Sequence, residues 1–203
     1  MLLLAFTLGF VSSYLGTITP SMLNITVTKI SIERGKKTAI YFAIGVSLVV
    51  LIQCYLALFL VTVIDSNPFI LETIQSLSIV IFALLSLSFL RMAIREKQEI
   101  AAKKIRTNGF FTGLGLSLMN MFSIPFFCGT AAAFNIQGWL TLEASSMLFF
   151  AVGSSLGTYT ILFHYAVLAE KIKPKLTKIS TYFNYFLALV TGVAALVSLF
   201  HLL

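Results

Sequence analysis

The sequence predicts an all-α integral membrane protein of six transmembrane helices, built as two inverted three-helix repeats. Three observations carry this. Of 203 residues, 59% are apolar and only 10% charged, with a mean hydropathy of +0.99. An ordinary soluble domain is about 25% charged, so a cytosolic enzyme and a disordered regulator are excluded. All 14 Lys and Arg fall in three short segments between apolar runs. A short motif recurs in the second and fifth runs.

The uncharged runs are 1–28, 38–64, 73–90, 107–142, 144–169 and 179–203. Each reaches the roughly 20 residues needed to cross a bilayer. Helices are expected near 2–27, 38–64, 72–93, 109–135, 144–169 and 179–202. The first run has no basic residue before it, unlike a cleaved signal peptide. It is read as a retained membrane helix. The run 107–142 exceeds one plain helix and is read as a broken helix plus an outer loop.

The connections set the orientation. Segment 28–37 holds Lys29, Arg34, Lys36 and Lys37; segment 91–108 holds six Lys or Arg; segment 170–178 holds Lys171, Lys173, Lys175 and Lys178. The other two connections hold Asp65, Glu72 and Glu143 and no basic residue. Basic loops stay cytoplasmic, so both termini are expected outside. The net charge of +7 is therefore an orientation signal rather than a nucleic-acid surface. The whole chain, 1–203, reads as one transmembrane domain: repeat A about 1–93, a cytoplasmic linker about 94–108, and repeat B about 109–203.

The repeat rests on Phe-Ala-Ile-Gly-Val-Ser-Leu at 42–48 and Phe-Ala-Val-Gly-Ser-Ser-Leu at 150–156. Upstream, Gly9 precedes Pro20 much as Gly113 precedes Pro125. Three crossings per copy invert the second copy, the arrangement of many secondary transporters.

A proline within a membrane helix removes an N–H and crowds the preceding turn. The freed backbone groups are tolerated only where protein or a wet cavity satisfies them. Helices 1 and 4 are expected to break near Pro20 and Pro125. Thr17, Thr19 and Asn24 flank the first break; Asn120 and Ser123 flank the second. Half-helix starts offer N–H groups to a carboxylate, and half-helix ends offer carbonyls to an ammonium group. That pairing suits an amino-acid zwitterion. Gln53 and Asn184 are further polar residues within apolar runs, fit for a site or for interhelical hydrogen bonds. His164 is the intramembrane residue that titrates near neutrality and is the candidate proton carrier. No Asp or Glu lies in a helix core, which points to neutral rather than basic side chains on the substrate. Cys54 and Cys128 show no CxxC or zinc spacing. Nothing calls for a cofactor, a metal or catalytic chemistry. Small-residue pairs such as Gly113 with Ser117 and Gly153 with Gly157 permit close helix packing, and leave room for a homodimer.

Taken together, Gly9-Phe10, the Pro20 break with Asn24, Gly35 and Gly45 resemble the first half of the LysE/RhtB amino-acid exporter family. Gly109-Phe110-Phe111-Thr112-Gly113, Asn120 and Pro125-Phe126-Phe127 resemble its second half. The resemblance spans nearly the whole chain. It implies an exporter of amino acids or their derivatives in the bacterial inner membrane, usually driven by the proton gradient. Departures exist. The family's Pro-Gly-Pro is Ile18-Thr19-Pro20 here, the acid that often follows it is Ser21, and the Pro after the helix-4 Asn is Met121. The expected function is therefore alternating-access export of small neutral amino acids or derivatives. Alternatives are a thiol–disulfide electron conduit, which needs its two cysteines at repeat-equivalent places, and a membrane subunit without transport.

Overall fold

The computed structural model describes residues 1–18, 21–66, 83, 84, 86–88, 90, 91, 94, 108–120, 122–172, 185, 186, 188–193, 195 and 196. Thr19, Pro20, Asn184, most of the 94–108 linker and much of the third and sixth spans lie outside these residues. Six helices are defined: α1 (Leu2–Ile18), α2 (Met22–Arg34), α3 (Lys36–Asp65), α4 (Gly109–Leu118), α5 (Ser123–Ile136) and α6 (Ala144–Val167). Among the described residues there is no strand.

The chain divides into two compact units. One comprises Met1–Val63 and Ile105–Lys173, the other Ile64–Lys104 and Pro174–Leu203. Within the second, Ser86 Oγ donates to the Ala188 carbonyl at 2.8 Å, beside Gly192. The first unit holds nearly all of the defined helices.

α3 and α6 are each long and apolar enough to cross a membrane. α1 with α2, and α4 with α5, make up a span only as pairs, bent by 75° and 65° at their breaks. The chain is thus a multi-pass membrane protein in its apolar architecture. α3 shows why. Phe42, Val46, Val50, Cys54, Ala57 and Leu58 are buried on one face, while Leu48, Ile52, Leu56 and Phe59 stand exposed on the other. An outward stripe that large would be a liability in water and is ordinary against lipid.

Local signals set the ends. Gly35, at φ +88°, closes α2 with its N–H on the Ser31 carbonyl, and α3 starts at the next residue. Only glycine adopts that conformation freely. Asn108 caps α4, its side chain accepting from the Phe110 N–H. Threonine hydroxyls within the helices turn back on the carbonyl four residues earlier, as at Thr26, Thr62, Thr130 and Thr160. This hides their polarity within the helix, and Thr62 also reaches Met147 Sδ at 3.9 Å.

Two helix crossings hold the first unit together, and both are made of glycine against backbone. A Cβ on Gly9 of α1 would collide with the Phe150 carbonyl of α6, and one on Gly153 with the Phe6 carbonyl. A Cβ on Gly113 of α4 would collide with the Phe42 carbonyl of α3, and one on Gly45 with the Phe110 carbonyl. The residues correspond one for one: Phe6 and Gly9 to Phe110 and Gly113, Phe42 and Gly45 to Phe150 and Gly153. Each crossing also buries a serine from the broken span. Ser13 shares a 2.6 Å hydrogen bond with Thr158, and Ser117 donates to the Val46 carbonyl at 3.4 Å. Between the crossings the two motif copies touch: Ser155 Oγ donates to the Ser47 carbonyl at 2.8 Å. Where side chains are absent, backbones approach closely, and dispersion and hydrogen bonding hold helices that no hydrophobic effect drives together in lipid.

Candidate functional site

The first break opens between Ile18 and Met22. A helix end leaves carbonyls without donors, and inside a membrane each must be tied off. Asn24, fully buried in α2, reaches back to do this: Nδ2 donates to the Thr17 carbonyl at 2.6 Å. Its Oδ1 accepts from Ser21 Oγ at 3.5 Å. From α6, the Tyr165 hydroxyl donates to the Ile18 carbonyl at 2.8 Å and shares a side-chain hydrogen bond with Asn24. Thr17 thus takes part through its carbonyl.

The second break lies between Leu118 and Ser123. The proline is not at the interruption but three to five residues beyond Asn120–Phe122, at the third position of α5. A proline there sacrifices nothing, because first-turn N–H groups have no intrahelical acceptor. The interruption itself is an asparagine turn. Asn120 Oδ1 accepts from the Phe122 N–H at 3.3 Å, and its Nδ2 donates to Ser123 Oγ at 3.0 Å. The Ser117 carbonyl at the end of α4 accepts from the Asn120 N–H at 3.0 Å and from Gln53 Nε2 of α3 at 3.2 Å. Gln53 Oε1 is buried and has no hydrogen-bond partner.

Each broken span is therefore anchored in the same way. The end of its first half is held by a side-chain donor from the unbroken helix that it crosses: Tyr165 for α1, Gln53 for α4. The structure brings Thr17 and Asn24 together at one break, and Gln53, Asn120, Ser123 and Pro125 at the other. The breaks are neighbours through α5, since the Phe126 ring lies against Gly16, where a Cβ would come within 2.6 Å of it.

A groove of about 370 Å³ opens at the first break, lined by Tyr14, Ile18, Ile161, His164, Tyr165, Leu168 and Ile172. His164 is exposed on it and meets the Tyr14 ring edge-on at 6.3 Å. Tyr165 was not anticipated from sequence. Its hydroxyl serves a carbonyl 147 residues away, a pairing no local pattern signals. Both cysteines are free, and each has its own partner: Cys54 donates to Ser154 Oγ at 3.5 Å, and Cys128 to the Ala57 carbonyl at 3.4 Å.

Neither the curated proteins nor the solved structures provide a match to the chain. A family model does: the LysE type translocators match over residues 14–201, which includes both breaks, the Gly45–Gly113 crossing and all six defined helices in whole or part. The chain belongs to the LysE type translocator family, whose members are transporters rather than enzymes.

Proposed function

We propose that the protein is a secondary exporter of small neutral amino acids or their derivatives, binding them between the two broken spans. The supporting observation is the pair of breaks itself. Both occur in apolar spans at corresponding places, and both have their loose carbonyls held by side chains from the unbroken helices. Half-helix ends of this kind present carbonyls and N–H groups of opposite polarity within one cavity, which suits a zwitterion. Thr19, Pro20 and Asn184 belong to this reading through their sequence positions.

Alternating access follows from the same parts. Repeat A (about 1–93) and repeat B (about 109–203) are taken as an inverted pair, supported by the residue-for-residue match of the two glycine crossings. Rocking about the Ser47–Ser155 contact would open the site first to one side and then to the other. The basic loops support a bacterial inner-membrane setting with both termini outside. His164 is assigned to proton coupling because it is a titratable side chain on the groove at the first break. The homodimer remains part of the proposal, with lipid and substrate as the other partners.

Efflux from proteoliposomes loaded with single neutral amino acids tests this reading, with and without an imposed proton gradient. Export of at least one amino acid, accelerated by the gradient, is the expected result. No efflux of any member of the panel by correctly folded protein would overturn it in favour of a membrane subunit without transport.

A further inference from the structure

Gln53 sits in α3 with 7% of its surface exposed, and its amide ends at the second break. The Nε2 end is committed to the Ser117 carbonyl. The Oε1 end accepts nothing, and it is the one buried side-chain N or O atom without a partner among the described residues. A buried acceptor with no donor is costly and uncommon, so each case calls for an explanation. The first break makes the contrast plain. There Asn24, equally buried, has its amide nitrogen on the Thr17 carbonyl and its oxygen on Ser21.

What could pair with this oxygen is constrained by its surroundings. The amide oxygen stands next to the carbonyl end of α4, the negative pole of that half-helix. The Ser117 carbonyl beside it already accepts from the Asn120 N–H and from Gln53 Nε2, and adds its negative end to the field. No Lys, Arg or His lies in α4 or in α3 between Lys37 and Asp65 to reverse that field. An anion is disfavoured there, and an apolar group would leave Oε1 unpaired. The fitting partner carries an N–H donor, and an ammonium group answers both the field and the unpaired oxygen.

We infer that Gln53 Oε1, at the carbonyl end of α4, receives an N–H of the substrate's ammonium group and selects substrates that carry one. The inference rests on the amino-acid exporter reading and sharpens it. The amino end of the zwitterion is placed on the α3–α4 side, and Gln53 has a double duty: Nε2 positions the broken helix while Oε1 reads the ligand.

The test measures binding of alanine, valine and leucine to the purified full-length protein, each beside its N,N,N-trimethyl derivative. The derivatives keep the positive charge and lose every N–H. The parent should bind each amino acid about 5- to 150-fold more tightly than its trimethyl form, the scale of one lost buried hydrogen bond. Gln53→Met keeps an unbranched side chain of similar length and removes the amide. It should weaken amino-acid binding on that same scale, change trimethyl binding less than about twofold, and so erase the discrimination. Gln53→Glu is isosteric, and its protonated acid keeps one donor for the Ser117 carbonyl and one acceptor, so it should restore the discrimination at a pH low enough to protonate it; that rescue is not expected of a merely structural role. If Gln53→Met fails to fold, the parent and Gln53→Glu still decide the matter. Equal binding of both forms by the parent, or unchanged discrimination in Gln53→Met, would overturn the inference alone. A parent that binds none of the amino acids would overturn the exporter reading and this inference with it.

Discussion

The two helix breaks solve the same problem with opposite degrees of closure. At the first, a fully buried Asn24 and the Tyr165 hydroxyl satisfy the Thr17 and Ile18 carbonyls, and the asparagine's own oxygen is answered by Ser21. At the second, Asn120 is only part-buried and forms the turn into the following half-helix, while Gln53 holds the preceding one and keeps an unanswered oxygen. In a membrane interior a satisfied polar group is a structural tie, and an unsatisfied buried one is costly and calls for a partner. On the proposed exporter reading, the first break is a fixed structural tie and the second is the one that meets the ligand.

The largest expected effect tests the frame on which both breaks hang. Gly9→Val or Gly153→Val would drive a branched side chain into the backbone of the opposing helix, and backbone cannot step aside as a side-chain tip can. Loss of folded protein is expected, at or beyond the upper end of the usual 1–3 kcal/mol overpacking cost. Gly115→Val, where a Cβ meets nothing within 4 Å, should be tolerated. Size-exclusion profiles in detergent check both. Equal tolerance would mean that the crossings are not close-packed.

The next prediction separates the breaks. Asn24→Ala leaves the Thr17 carbonyl without its side-chain donor in a buried site, and should cost about 1–3 kcal/mol of stability. Tyr165→Phe removes one hydroxyl donor and should cost about 1 kcal/mol. Both should lower the thermal midpoint of the purified protein. If Asn24→Ala matches the parent in midpoint and instead loses only binding, the roles of the two breaks are exchanged.

Smaller still is the effect of His164→Gln. It should reduce gradient-driven efflux more than it reduces substrate exchange, because exchange needs no net proton movement. Equal activity at every pH would remove His164 from the coupling path. Ser88→Ala is the control: Ser88 is exposed and bonded to the Leu84 carbonyl within its own helix. A change within about 0.5 kcal/mol is expected, with transport unaltered.

Much of this comparison was legible in the sequence, for identifiable reasons. Among the described residues, hydropathy located α3, α6 and the two bent pairs, because lipid admits little else. The matched Gly and Pro positions announced two interrupted spans, and Gly9, Gly45, Gly113 and Gly153 proved to be contact points of the crossings, with Gly109 and Gly157 beside them. The exact place of the second interruption was less visible. Pro125 drew attention, yet a proline in a helix's first turn is compatible with the helix, and the turn is made earlier by Asn120. Asn24 and Asn120 looked alike as polar residues beside a break; their different burial depends on which helices pack around them. Tyr165 could not be singled out among seven tyrosines, since its role is a contact between distant segments.

The most direct measurement of the central claim pairs two readouts on Asn120→Ala: the affinity for the exported amino acid and the thermal midpoint. If the second break is the ligand-facing wall, affinity falls about 5- to 150-fold, while the lost turn hydrogen bonds of the part-buried Asn120 lower the midpoint no more than Asn24→Ala does. An Asn120→Ala protein that binds and exports like the parent would contradict the account.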